Sequence, residues 1–363
     1  MARDHNEKIG ALNYPVLFGT RSLTNLKSLF LADDNQKTVF VLTDENTRKY
    51  CLPILTDAVC GLGMKQTFTI NPGEPSKTMQ TAAKIIDWLV DSGAGKEAIL
   101  VNLGGGVVTD LGGFVASIYK RGIAFINIPT TLMGMADAAI GGKTAVNSGD
   151  IKNQIGTFYD PDAVLIFPGF LDTLPASHLK SGYAEIIKCA ILEGGDAWDT
   201  ARNTVSFEDE AFRESFLNAI RFKCRIVSAD PYDKSTRQVL NFGHTFGHAF
   251  ESLFSRSSQP LLHGEAIAAG MICETYLSFV LCGLGRKVLE DLTGFIAGHF
   301  RLPALNGDAT RDMNRIMAHD KKNRSDEIRF TLLRDAGNPL TGVSAGNSLV
   351  NEAFLYYSEI AAK

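Results

Sequence analysis

The sequence predicts an α/β fold in its first half, with a parallel sheet and crossover helices, followed by a mainly α-helical second half. Three observations carry this. Short runs rich in Val, Ile and Phe punctuate the first half, separated by longer mixed segments, which is the rhythm of buried parallel strands joined by helices. Beyond about Pro168 the apolar residues recur at helical spacing, and strand-like alternation almost disappears. The length of 363 residues exceeds the roughly 250–300 at which single cores stop growing, so two domains are expected, 1–168 and 169–363.

The strand candidates, in order, are KTVFVLTD, KQTFTIN, AILVNLGGG, AFINIPTT and AVLIF. Segment 78–93, TMQTAAKIIDWLVDSG, carries apolar residues at helical spacing and fits a crossover helix. The second half offers helices over 178–192, 209–229, 262–281 and 285–298, a single strand at 328–333 and a closing amphipathic helix over 347–363. No internal repeat or low-complexity segment interrupts the pattern.

Hydrophobic residues make up 45% and charged residues 21%, as in globular proteins. The net charge of -4 argues against nucleic acid as a partner, which would require a basic surface. Six cysteines are scattered without a Cys-x-x-Cys pair, so neither a thiolate zinc knuckle nor a disulfide framework is expected. The opening MARDHNEKIG lacks an apolar signal core, and no stretch reads as the roughly 18 apolar residues of a membrane span. A cytoplasmic location without a membrane partner follows as the expectation.

LGGGVVTDLGGF follows a strand candidate and runs into a helix-compatible stretch, the context of a phosphate-binding turn. Gly104, Gly105 and Gly106 do not complete Gly-x-Gly-x-x-Gly, because Thr109 takes the last glycine position. A plain strand-to-helix turn therefore competes evenly with a dinucleotide site on the glycines alone. Asp44 and Asn46 in VLTDENT, Glu74 and Lys77 in GEPSKT, and Thr130 and Thr131 in PTT all follow strands, where polar side chains meet ribose or adenine groups.

In NFGHTFGHAF, His244 and His248 are four apart and share a helix face, a spacing that can hold a metal. Thr245 stands where a zincin would have glutamate, which disfavours a protease. His263 opens the next helix, and Glu185 is an acidic residue inside an apolar helical stretch. Spacing alone favours His244 and His248 as ligands, with His263 or Glu185 completing a mixed site suited to zinc. Arg121, Lys143, Lys152, Lys188, Lys223, Arg237, Lys321 and Lys322 sit beside these motifs. If several converge, an anionic ligand must offset their repulsion.

GGGVVTDLGGFVAS, KRGI, IPTTLMGMADAAIGGKTAVN, KNQIGTFYDP, LDTLP, SGYAEIIK, RQVLNFGHTFGHA, LLHGEAIAAGM and DKKN occur in the order and spacing of one family. From about residue 40 to 335 the chain resembles the sugar phosphate cyclases, most nearly the 3-dehydroquinate synthase family. The resemblance implies a Rossmann-like NAD-binding domain, then an α-helical metal-binding domain, with the active site between them. It implies zinc, with cobalt as an alternative, on Glu185, His244 and His263, and it makes His248 a substrate-binding and catalytic residue. The substrate set it implies comprises Arg121, Asp137, Lys143, Lys152, Asn153, Lys188, Lys223, Arg237, Asn241 and one lysine of DKK, Lys321 or Lys322. The implied NAD set is Asp44, Asn46, Glu74, Lys77, Gly104 to Gly106, Asp110, Thr130, Thr131, Thr173 and Leu174.

The activity so implied is conversion of the sugar phosphate DAHP to 3-dehydroquinate, with NAD regenerated, by a homodimer. DPYDKST before Arg237, Ala145, and GMADAA around Asp137 depart from the family's commoner wording, while the charged positions stay intact. The nearest rivals are cyclases that make valiolone- or inosose-type products. A glycerol-dehydrogenase-like oxidoreductase would not need Lys152 and Asn153, and a degenerate scaffold would have lost metal or anion positions.

Overall fold

The computed structural model describes residues 7–10, 12–26, 38–59, 64–149, 151–255, 257, 259–305, 307–318 and 328–362. The chain forms two compact units, Met1–Pro175 with Lys223–Tyr232, and Ala176–Phe222 with Asp233–Lys363.

In the first unit the described strands are β1 (Glu7–Ile9), β2 (Val16–Phe18), β3 (Val39–Asp44), β4 (Met64–Ile70), β5 (Ile99–Gly104), β6 (Ala124–Pro129), β7 (Lys143–Ser148), β8 (Ile151–Phe158) and β9 (Ala163–Ile166). Seven of them form one sheet in the order β1-β2-β9-β6-β5-β3-β4. Every pairing is parallel except β1 with β2. All residues of β5 and β9 are buried, which is why these strands read as unbroken apolar runs rather than as alternation. Helix Met79–Asp91 turns Ala82, Ile85 and Leu89 inward, and Thr78 caps its start by accepting a hydrogen bond from Thr81 N. These side chains join Phe40, Leu100, Leu111 and Phe125 in one core.

Strand order reverses at β3: β4 lies on one side, and β5, β6 and β9 lie on the other. The register pairs Asp44 with Ile70, Thr43 with Leu103, and Leu103 with Ile128. The carboxyl ends of β4, β3, β5 and β6 are therefore level, and the loops leaving β3 and β5 flank the switch point where doubly wound sheets bind ligands. β7 and β8 form a separate hairpin. Sequence periodicity did not predict it, because β8 is exposed along nearly its whole length and has no buried face to pattern.

The second unit holds helices Ala176–Glu193, Gly195–Arg202, His244–Phe254, His263–Cys282, Arg286–His299, Gly307–Ala318 and Asn347–Ala361. Helix Glu210–Ala229 begins there, and its last turns, from Lys223 on, group with the first unit. The strand expected at 328–333 runs over Ile328–Asp335 (β10) and pairs antiparallel with Asn338–Ala345 (β11), a half-exposed partner with no apolar signal. Among the described residues, His263–Cys282 is long and apolar enough by length and composition to cross a membrane. However, 67% of that window is buried inside the protein, so it serves as a core helix.

Candidate active site

Two groups of predicted residues assemble, one in each unit. In the first unit, Gly104 ends β5, Gly105 caps helix Gly106–Ile118, and Thr130 N donates to Gly104 O at 3.0 Å. A Cβ on Gly105 would stand 2.9 Å from Thr131 Cγ2, and one on Gly104 would meet Val108 at 2.5 Å. The glycines thus keep the backbone clear of side chains in a cradle at a helix N-terminus, where positive potential favours a phosphate. Asp44 ends β3 and accepts from Thr47 N at 2.8 Å, which opens the short helix carrying Asn46. After β9, Thr173 ends the 3-10 turn Pro168–Thr173 and Leu174 is its C-cap. The donor set and open backbone fit a dinucleotide.

Beside this cradle, Lys77 is 4% exposed, and its Nζ lies 2.5 Å from both Asp110 Oδ2 and Asn153 Oδ1. Burial pushes the Asp110 carboxyl up, against the lowering influence of Lys77. Asn147, which the sequence reading did not single out, connects the group. Its side chain donates to Glu74 Oε1 at 2.8 Å and accepts from Asn153 N at 2.9 Å, and its own N–H donates to Lys77 O at 2.8 Å. Asp137, in the turn Gly134–Ala138, holds Lys223 Nζ at 2.6 Å. Lys143 and Lys152 are exposed on the β7–β8 hairpin. Lys120 and Arg121 have φ of 49° and 61°, a left-handed pair that costs L-residues energy and sets Arg121 off the helix preceding it.

In the second unit, Glu185 and Lys188 lie on Ala176–Glu193, His244 starts His244–Phe254, and His263 starts His263–Cys282. Gly264 permits this meeting. Its N–H donates to Ser181 Oγ at 2.9 Å, and a Cβ there would collide with the Ser181 backbone, one turn before Glu185. One donor atom each from Glu185, His244 and His263 falls within 4.8 Å of the others. His248 lies outside this trio, with its ring centroid 5.4 Å from that of His244 and 6.2 Å from that of His263.

Hydrogen bonding sets the orientation of both rings. His244 Nδ1 donates to Phe242 O at 3.2 Å, and His263 Nδ1 faces Glu251 Oε2 at 3.4 Å. Each leaves Nε2 toward Glu185 Oε1, at 3.7 and 3.6 Å, distances of an ion pair rather than a hydrogen bond. Glu185 is 1% exposed, and neither carboxylate oxygen receives an aligned hydrogen bond, although Lys188 Nζ lies 2.5 Å from Oε2. Lys188 itself donates to Leu240 O at 2.9 Å. A buried, under-satisfied carboxylate facing two imidazole nitrogens is the donor set of a divalent cation such as zinc with positions left open.

The electrostatics agree. Burial would raise the Glu185 carboxyl, but Lys188, His263 and His244 hold it well below the usual range. Burial and Lys188 keep His244 well below its ordinary value, despite Glu185. Burial also works against the charged form of His263, and contacts with Glu185 and Glu251 overcome it, lifting its pKa to about 10. The trio thus favours a positive charge at its centre. Glu251, 8% exposed, orients His263 as carboxylates behind ligating histidines do; sequence reading missed it. Arg237, 3% exposed, and Asn241 occupy the 3-10 turn Thr236–Asn241, which runs into the His244 helix. Lys321 and Lys322 lie outside the described residues.

Comparison with known proteins extends this picture. The family model for the 3-dehydroquinate synthase N-terminal region matches residues 67–181, and that for the C-terminal region matches 182–323. The 3-dehydroquinate synthase of Parabacteroides distasonis is 39% identical over 337 residues, covering 91% of this chain and 94% of that protein. A 2-epi-5-epi-valiolone synthase from Streptomyces hygroscopicus subsp. jinggangensis, solved with NAD+ and Zn2+, superposes with a TM-score of 0.84 at 26% identity, covering 98% and 99% of the two chains. A 2-deoxy-scyllo-inosose synthase, solved with carbaglucose-6-phosphate, NAD+ and Co2+, gives a TM-score of 0.83 at 24% identity over 96% and 99%, a likeness of fold. Identity of this extent along nearly the whole chain, joined to matches at both halves, places the protein in the 3-dehydroquinate synthase family.

Proposed function

We propose that this chain is a 3-dehydroquinate synthase that uses NAD and a divalent cation, zinc or cobalt, to convert DAHP (3-deoxy-D-arabino-heptulosonate 7-phosphate) into 3-dehydroquinate and inorganic phosphate. The observation that carries the reading is the convergence of Glu185, His244 and His263 in a chain of this family. Residues 1–168 serve the dinucleotide, through Asp44, Asn46, Glu74, Lys77, Gly104 to Gly106, Asp110, Thr130 and Thr131, joined by Thr173 and Leu174 from just beyond that range. Residues 169–363 serve the metal and much of the substrate.

When bound, NAD would supply a reversible hydride acceptor, and the cation would supply Lewis acidity that eases loss of a hydroxyl proton. The chain's own residues do the rest. Lys143, Lys152, Arg237 and His248 hold the substrate's phosphate and carboxylate, keeping the departing phosphate near enough to take a proton from the adjacent carbon. Lys223, already oriented by Asp137 at 2.6 Å, and Asn241 orient the hydroxyls, and Lys188 belongs to the same substrate set. Arg121, Asn153 and one lysine of DKK, Lys321 or Lys322, complete the substrate set. Ring opening and intramolecular aldol addition then close the carbocycle. The enzyme works as a homodimer in the cytoplasm, with neither nucleic acid nor membrane as partner. A reducing compartment suits the free cysteines Cys51, Cys189, Cys224, Cys273 and Cys282.

The test is incubation of zinc-loaded protein with DAHP and catalytic NAD, following phosphate and product mass. Phosphate release with 3-dehydroquinate and no net NADH is expected. Cyclisation of sedoheptulose 7-phosphate or glucose 6-phosphate instead would replace the substrate, and net NADH from a simple polyol would replace the reaction class.

A further inference from the structure

Helix His244–Phe254 begins on a metal-ligand candidate, and its own N-cap residue has nothing to cap it with. Gly243 holds that position with φ 80° and ψ −11° and offers no side chain. The first N–H groups of a helix have no partner within it, so a residue at the first helical position is the one most exposed to fraying. The missing cap comes from another helix. Glu274, 0% exposed, lies on His263–Cys282, eleven residues beyond His263. Its Oε2 accepts from Gly243 N at 2.6 Å, and its Oε1 accepts from Thr245 N at 3.1 Å and Phe246 N at 3.4 Å.

The Gly243 N–H belongs to the same planar peptide unit as the Phe242 carbonyl. That carbonyl is the acceptor for His244 Nδ1 at 3.2 Å. One rigid unit therefore has Glu274 on its donor side and the His244 ring on its acceptor side. Fixing the peptide fixes where the carbonyl points, hence which ring nitrogen carries the proton and where Nε2 is aimed. His263 has its carboxylate directly behind it in Glu251, at 3.4 Å, whereas the Nδ1 of His244 meets the Phe242 carbonyl and reaches a carboxylate through that peptide. Hydrogen bonds in such a chain also polarise one another, strengthening the acceptor that His244 uses.

We propose that Glu274 is the positioning residue for His244, acting through the Phe242–Gly243 peptide to hold the ring in its ligating tautomer and to tie the helix of His244 to that of His263. The inference rests on the reading that Glu185, His244 and His263 hold a divalent cation. Gln at position 274 keeps the shape but sets an NH2 group against backbone N–H donors, so the cap is half lost. Asp keeps the charge and is one methylene shorter.

The experiment measures zinc affinity by chelator competition in Glu274→Gln and Glu274→Asp, alongside far-UV circular dichroism and unfolding of the metal-free proteins. Ile296→Ala, a core change in helix Arg286–His299, which carries none of Glu185, His244 and His263, serves as the destabilised control. Loss of supporting groups behind a ligand weakens metal binding by roughly 10–100-fold; this is expected for Glu274→Gln, with an intermediate loss for Glu274→Asp and parental affinity for Ile296→Ala. With cobalt in place of zinc, the visible d–d bands should shift in the position-274 variants and not in the control. Parental zinc affinity in folded Glu274→Gln, or a loss no larger than in the control, overturns the proposal. Should Glu274→Gln not fold, the same comparison on Glu274→Asp decides. Glu185→Ala separates the two readings: if it retains full zinc stoichiometry, the metal assignment falls, whatever position 274 does.

Discussion

Replacing Glu185 by Gln should damage the fold as well as the metal site, and by a calculable amount. Glu185 and Lys188 each have 1% side-chain exposure, with Nζ 2.5 Å from Oε2. Removing one charge strands the other in the interior, which costs about 3–5 kcal/mol when a buried pair is broken from one side. For a unit of this size that corresponds to a melting midpoint lower by roughly 6–20 °C. The reverse change, Lys188→Met, should cost less, because His263 already carries a compensating positive charge near Glu185, its pKa lifted to about 10 against the effect of burial by its carboxylate neighbours. The double variant should recover part of the loss, with a coupling of about 0.5–3 kcal/mol. Urea unfolding of the metal-free proteins at neutral pH gives the energies, and metal content after dialysis gives occupancy. Zinc should be absent from Glu185→Gln and from the double variant and present in Lys188→Met. Single losses that simply add in the double variant would refute the argument, since they would show no coupling between the two charges.

Two further perturbations test separate parts of the second unit. Glu251→Gln should weaken zinc binding by roughly 10–100-fold while leaving one ion per chain at saturation; an unchanged dissociation constant in chelator competition would mean that His263 needs no carboxylate behind it. Asp209→Ala should cost about 1 kcal/mol, because Asp209 caps Glu210–Ala229 by accepting from Phe212 N at 2.6 Å, Val205 N at 2.9 Å and Ser206 N at 3.0 Å. Partial burial pushes that carboxyl up, and the three backbone donors outweigh it, leaving the pKa below the ordinary value. The capping stability is therefore present above the unfolded-state pKa of about 3.9 and lost as pH falls through the lower folded value. Urea midpoints of the parent and Asp209→Ala should differ at pH 7 and converge in strong acid; a constant gap would contradict the cause assigned.

The parts of the fold legible in the sequence are those whose burial leaves a pattern. β3, β5, β6 and β9 announced themselves as apolar runs because they are buried on both faces, and the long helices did so through their stripes. The β7–β8 hairpin and β11 are largely exposed or half-exposed, so no periodicity marks them. In the site, the four-residue spacing of His244 and His248 was visible but ambiguous. Both project from one helix, yet only the crossing of that helix with two others decides that His244, and not His248, meets Glu185 and His263. The signal that singled out Glu185, an acidic residue within an apolar helix, applies equally to Glu274 in MICETYLSF. Glu274 has no histidine or lysine beside it in sequence to mark it further. Asn147 was hidden for another reason: its importance lies in three contacts to Glu74, Lys77 and Asn153, and a polar residue near a loop carries no mark of that.

The division of the chain also bears on how such a protein can be inherited or engineered. The first unit takes back Lys223–Tyr232 after the chain has already left it at Pro175. A gene split at 175 would therefore encode a first fragment without Lys223, the partner of Asp137, and without Cys224, whose side chain fills the space that a Cβ at Gly10 would need. The two halves cannot be exchanged between homologues as cassettes with a single crossover. Recombination that preserves both would require three matched breakpoints, near 175, 222 and 232, so related enzymes are expected to diverge by substitution along the whole length rather than by shuffling of parts.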